Sequence, residues 1–190
     1  SWIILPMNFL GVSNGQIDSL SIHQGPVLCL SYAPGLALSG GRSGLAIAWD
    51  LKVGERIGVL KGHKGHVTAV AWMDDNKDVD DEVSSPSVFM SGAQDGHIRV
   101  WDIRKRGEVA NVGAHTSDRG SGAVAGLCYS AACQTVVSAG ADRSLFFLDA
   151  RQGFKLRNRS TEHKDFIYEL TLTSDGMFAV SGGGDGTVWC

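Results

Sequence analysis

Histidine, serine and aspartate are the residue types of a nucleophilic hydrolase, and this chain sets them out at measured intervals. His63, Ser91 and Asp95 form one such group, and His163, Ser181 and Asp185 another. In an enzyme such a triad is needed once, with an exposed nucleophile beside an oxyanion hole. Here the set recurs. A serine stands four residues before an aspartate at 91/95, 138/142 and 181/185, and Ser39 precedes Ser43 by the same interval. A histidine opens each copy, at His23, His63, His115 and His163. Repetition at fixed spacing points to a structural set rather than to a catalytic one. A phosphate-cradling G-x-x-x-x-G-K-[ST] run is absent from the sequence. Gly182-Gly183-Gly184-Asp185-Gly186 falls where the other copies place a turn, and turn chemistry accounts for its glycines.

No metal chemistry is expected. His63 and His66 lie three apart without a neighbouring cysteine or carboxylate ligand, and Cys128 and Cys133 lack a second pair. Cys29 and Cys128 read as small core residues. The acidic run Asp74 to Glu82 has the composition of a calcium loop but lacks its glycine and its closing glutamate, so it reads as a solvated loop. No cofactor is expected either.

The elements that must carry these residues follow from the repeat. The histidines are spaced 40, 52 and 48 residues apart, a period of 40 to 50 residues with loops of variable length. Each copy holds short β-rich runs between turns, such as Val67 to Trp72, Val88 to Ser91, Ile98 to Trp101 and Arg56 to Leu60. Each repeat therefore supplies four short antiparallel strands, called a, b, c and d, and the class is all-β. No segment sustains a capped 3.6-residue apolar period.

Gly62-His63, Ser91, Asp95 and Trp101-Asp102, in that order and spacing, resemble the WD-repeat β-propeller family. The resemblance covers about residues 16 to 190. It implies four-stranded blades, about four of them, in an incomplete ring. The divisions it implies are an N-terminal segment 1–15, a d strand of a closing blade at 16–22, and repeats at 23–61, 62–112, 113–161 and 162–190, the last truncated. The expected tryptophan of the last copy falls at position 191, so the chain reads as a fragment of a longer protein; left alone, it would expose strand edges and blade faces that can self-associate.

The resemblance also implies hydrogen-bonded sets inside the blades. These are His63, Ser91, Asp95 and Trp101 in the second blade; His115, Ser138 and Asp142 in the third; and His163, Ser181 and Asp185 in the fourth. The first has His23, Ser39 and Trp49, with Ser43 as a weaker partner in the acid position. Leu148 replaces tryptophan in the third, so the first and third blades are expected to be tied less firmly.

Function in such a scaffold sits in its loops. The expected role is a non-catalytic protein–protein interaction scaffold with proteins or peptides as partners; an enzyme on a propeller face is the disfavoured competitor. Candidate partner-binding residues on the top face are Arg42, Lys64, His66, Gln94 and Arg119. The loop Thr116 to Ala123 belongs to that face and the acidic loop 74–86 to the other. Trp101-Asp102-Ile103-Arg104 is similar to the box by which some WD-repeat proteins dock on the adaptor of cullin-type ubiquitin ligases, with Arg104 as the contact. A net charge of −3 argues against nucleic acid. The apolar start of the chain, broken by Pro6 and without a basic flank, matches neither a membrane span nor a signal peptide. With four cysteines and no signal, a cytoplasmic or nuclear location is expected.

Overall fold

The computed structural model describes residues 23–73, 86–105, 107–117 and 120–190. The segments 1–22 and 74–85 lie outside it, and with them the expected closing d strand, the calcium-like run and nearly all of the acidic loop. Arg119 lies outside it as well.

Three four-stranded antiparallel meanders follow one another along the chain. The first is β1 (Val27–Ala33), β2 (Leu36–Gly41), β3 (Leu45–Asp50) and β4 (Glu55–Lys61). The second is β5 (Val67–Trp72), β6 (Val88–Ala93), β7 (His97–Asp102) and β8 (Gly107–Gly113). A two-stranded ribbon, β9 (Thr116–Ser117) and β10 (Gly120–Ser121), fills the place where sequence reading gives only a loop. The third meander is β11 (Val124–Ser130), β12 (Thr135–Gly140), β13 (Leu145–Asp149) and β14 (Lys155–Ser160), with a single 3-10 turn at Ala150–Gln152. A three-stranded sheet closes the series: β15 (Ile167–Leu172), β16 (Ala179–Gly183) and β17 (Val188–Trp189). The architecture is the all-β propeller that the repeat implies.

The repetition extends to register. Every a strand carries a bulge one residue in, between Val27 and Cys29, Val67 and Ala69, Val124 and Gly126, and Ile167 and Glu169. A bulge sharpens the local twist of the strand. The four b–c turns share one backbone hydrogen bond, from Gly44, Gly96, Arg143 and Gly186 to Gly41, Ala93, Gly140 and Gly183.

A four-stranded sheet has two faces to bury, and consecutive blades bury them against each other. Leu38, Ala46 and Leu60 of the first blade pack with Val70, Trp72 and Phe89 of the second. Met90, Ile98 and Val100 of the second meet Val124, Leu127 and Phe146 of the third. Val137 and Leu145 of the third meet Ile167 and Leu170 of the fourth. Cross-blade hydrogen bonds accompany this packing: Thr68 Oγ1 donates to the Val124 carbonyl at 2.6 Å.

Register also shows which faces are uncovered. Leu30, Val70, Leu127 and Leu170 each pair with the serine of their own b strand. Val70, Leu127 and Leu170 are buried against the preceding blade, whereas Leu30 is 62% exposed. Among the c-strand residues at the other face, Ala46, Ile98 and Leu145 are buried, and Val188 is 73% exposed.

Candidate functional site

The repeated polar residues come together inside each blade. In the second, Trp101 Nε1 donates to Ser91 Oγ at 2.8 Å, and Ser91 Oγ lies 2.8 Å from His63 Nε2. His63 Nδ1 is 3.2 Å from Asp95 Oδ1. A carboxylate can only accept, so Nδ1 carries the proton and Nε2 accepts from the serine hydroxyl. Asp95 also accepts the backbone N–H groups of Lys64 at 2.8 Å and His97 at 3.1 Å. One carboxylate thus fastens the d–a loop, the b–c turn and the histidine together.

The third and fourth blades repeat the arrangement. His115 lies 2.8 Å from Asp142 and 2.9 Å from Ser138. His163 lies 3.3 Å from Asp185 and 2.9 Å from Ser181, and Lys164 N donates to Asp185 at 2.7 Å. Trp189 pairs with Ser181 in the register where Arg99 pairs with Ser91. It bonds Thr187 instead of the serine. The histidine rings lie so close to the ends of the b strands that a Cβ at Gly140 would fall 2.2 Å from His115 Nδ1, and one at Gly183 2.5 Å from His163 Nδ1.

The first blade departs from the expectation. Trp49 Nε1 and His23 Nε2 both reach Ser39 Oγ at 2.8 Å, but His23 Nδ1 is buried without a hydrogen-bond partner among the described residues. Ser43 is therefore not the weaker partner that its position implies. The serine side chain is shorter than aspartate and leaves the imidazole unanswered.

Electrostatics agree with a locked interior. Burial pushes the His63 imidazole below its ordinary value, against the upward pull of Asp95. Burial would raise Asp95, but the N–H groups of Lys64 and His97, together with His63, hold it below the usual carboxylate range. Ser91 and Ser138 are fully buried, and Ser181 and Ser39 nearly so. None is placed as an accessible nucleophile. Burial also pushes the Cys29 thiol up to about 12 and the Cys128 thiol up to about 11. Both are unreactive packing groups.

The aspartates that close the first three c strands form a second set, which the sequence showed as part of the repeat signature but without a bonding role. Asp50, Asp102 and Asp149 each accept the backbone N–H two residues on, from Lys52 at 2.8 Å, Arg104 at 2.9 Å and Arg151 at 2.9 Å. Their recurrence at the end of each c strand was the available signal. Arg104 turns back on Asp102, with Nε 3.2 Å from Oδ1, while its side chain stays 71% exposed.

Four of the top-face candidates share one cleft at the end of the blades that carries the b–c turns and d–a loops. Arg42, Ser43 and Gly44 of the first blade, the loop His63 to His66, and Gln94 line a volume of about 340 Å³. Arg104 follows β7, at the opposite end of the blades. Among the described residues, no cluster of three or more His, Cys, Asp or Glu side chains could hold a metal ion. None of their helices is long and apolar enough to cross a membrane.

The family model described as "WD domain, G-beta repeat" matches residues 54–102 and 154–190. The chain is 26% identical over 170 residues to a guanine nucleotide-binding protein subunit beta from Oryza sativa, covering 86% of this chain and 42% of the relative. It is 34% identical over 86 residues to the Denticleless protein homolog of Gallus gallus, covering 43% and 10%, and 29% identical over 107 residues to the WD repeat-containing protein slp1 of Schizosaccharomyces pombe, covering 50% and 20%. The crystal structure of the computationally designed Ika8 protein superposes with a TM-score of 0.71 at 28% identity, covering 90% of this chain and 46% of that one. The chain carries WD repeats in a β-propeller fold, and WD-repeat propellers bind other proteins and are in general non-catalytic. It spans less than half the length of each of these relatives.

Proposed function

We propose that this chain is a non-catalytic scaffold that holds partner proteins or peptides at the rim of its blades, in the cytoplasm or nucleus. One observation carries the reading. The serine of every histidine–serine set is locked inside a blade, while Arg42, Lys64, His66 and Gln94 converge on one open cleft. The interior supplies rigidity and the rim supplies recognition. Backbone hydrogen bonds fix the rim, so little ordering cost falls on binding. Amine-reactive crosslinking of complexes captured from a cell extract tests it. Crosslinks from Lys64 to a partner are expected; a chain that captures no protein above a denatured control overturns the reading.

Arg104 favours a second reading, docking on the adaptor of a cullin-type ubiquitin ligase. Asp102 orients its guanidinium at the exposed end of Trp101-Asp102-Ile103-Arg104. Such docking leaves the opposite rim free for a substrate protein. Co-purification with the wild type and with Arg104→Ala decides it: adaptor lost only from the variant supports the reading, and adaptor absent from both removes it.

A further inference from the structure

We infer that the cleft between the first two blades is a recognition site for carboxylate side chains of an acidic peptide segment. This rests on the scaffold reading and names its ligand. Two cationic side chains and an imidazole face the cleft, from Arg42, Lys64 and His66. Neither Arg42 nor Lys64 makes an ion pair with a described residue. The second and fourth blades place an aspartate where the first has uncharged Ser43, so no carboxylate from the first blade answers Arg42. Asp95, which follows Gln94 in the second blade's b–c turn, is already engaged by His63 and by the N–H groups of Lys64 and His97.

The site is also built in advance. Arg42 N donates to the Pro26 carbonyl at 2.9 Å, and Gln94 N to the His66 carbonyl at 2.8 Å. Gly44 has φ +76°, and a Cβ on it would stand 3.1 Å from the Gly65 carbonyl; one on Gly65 would stand 3.0 Å from Gln94 Cβ. Gly44 thus lets the turn of the first blade press against the loop that enters the second, Gly65 lets that loop approach Gln94 of its own blade, and backbone hydrogen bonds hold the main chain that carries Arg42 and Lys64. Arg42 offers a planar fork to a carboxylate and Lys64 a second, point-like donor.

The size and charge select the ligand class. A volume of about 340 Å³ suits one or two side chains rather than a large cofactor. The lining has no phenylalanine, tyrosine or tryptophan on which a base could stack. The net charge of −3 opposes a long polyanion but not a short acidic segment.

Fluorescence anisotropy with a labelled Glu-rich decapeptide tests the inference, using its Gln counterpart and a single-stranded DNA decamer as comparison probes. The Glu peptide is expected to bind, more weakly as salt rises, and the Gln peptide not to bind. Arg42→Ala/Lys64→Ala is expected to weaken the Glu peptide by about tenfold or more, whereas Arg151→Ala/Lys155→Ala, in the third blade, leaves it unchanged. No binding of the Glu peptide, equal binding to both double variants, or DNA bound as tightly as the Glu peptide overturns the assignment. If capture from extract survives Arg42→Ala/Lys64→Ala undiminished, this site falls and the scaffold stands. If the wild type captures nothing, the scaffold reading itself has failed.

Discussion

His23 reaches Ser39 at 2.8 Å through Nε2 and finds no partner at Nδ1 among the described residues, although the same atom of His115 lies 2.8 Å from Asp142. An unpaired buried polar atom costs about 1–3 kcal/mol. Ser43→Asp is therefore expected to stabilise the chain by about 1 kcal/mol. Urea unfolding measures it, and no gain in the midpoint would show that the turn of the first blade cannot carry the acid to the ring.

The serines are unequal in what depends on them. Ser91→Ala strands both the Trp101 indole N–H and His63 Nε2, at about 2–4 kcal/mol. Ser138→Ala strands His115 Nε2, because Leu148 stands where a tryptophan would, and is expected to cost about 1–2 kcal/mol. The ratio of the two losses in chemical denaturation checks this; equal losses would mean that the indole bond contributes nothing.

Arg143 adopts φ +68°, where the other three turns have Gly44, Gly96 and Gly186. A side chain in that region costs about 1 kcal/mol. Arg143→Gly should raise stability by about that amount, less the added entropy of the unfolded chain. Thermal unfolding reads the difference, and a lowered midpoint would contradict the strain.

Acid should destabilise the fold in two stages. The folded values of His63 and His23 are lowered, so their contribution is present above the ordinary value of about 6.5 and is lost as pH falls below it. The folded values of Asp95, Asp142 and Asp185 are lowered too, and theirs is lost as pH falls below the ordinary carboxylate value, near 3.8. Unfolding free energies measured between pH 7.5 and 3 test both stages. A flat profile from 7.5 to 5.5 would show that His63 is not held neutral.

Leu30 and Val188 occupy positions that are covered in the neighbouring blades. The isolated 190-residue chain is expected to self-associate as concentration rises, and Leu30→Lys with Val188→Lys to suppress this without unfolding it. Val70→Lys, at the covered position, should unfold it. Sedimentation velocity decides; a wild type that stays monomeric throughout contradicts the prediction.

The fold could be read because its polar residues repeat. Histidine, serine and aspartate at fixed spacing mark turns and strands that composition alone would not locate, and Trp49 and Trp101 fix the c strands. The orphaned Nδ1 of His23 was half visible: the sequence shows that Ser43 lacks charge but not how far its hydroxyl falls short. The cleft was visible only as separate residues. Arg42 and Lys64 share one cleft where Gly44 lets the turn of the first blade touch the loop that enters the second, and that closeness depends on packing between blades rather than on any local pattern. The ribbon β9–β10 followed no periodicity, since two-residue strands are too short to show one.

The central claim is that the histidine sets are internal fastenings, and the tautomer of His63 tests it most directly. Long-range nitrogen–proton correlation on the imidazole at pH 7.5 should show Nδ1 protonated and Nε2 bare, with an Nδ1 proton protected from exchange. An Nε2-protonated or freely exchanging ring would place His63 in an open site and contradict the account.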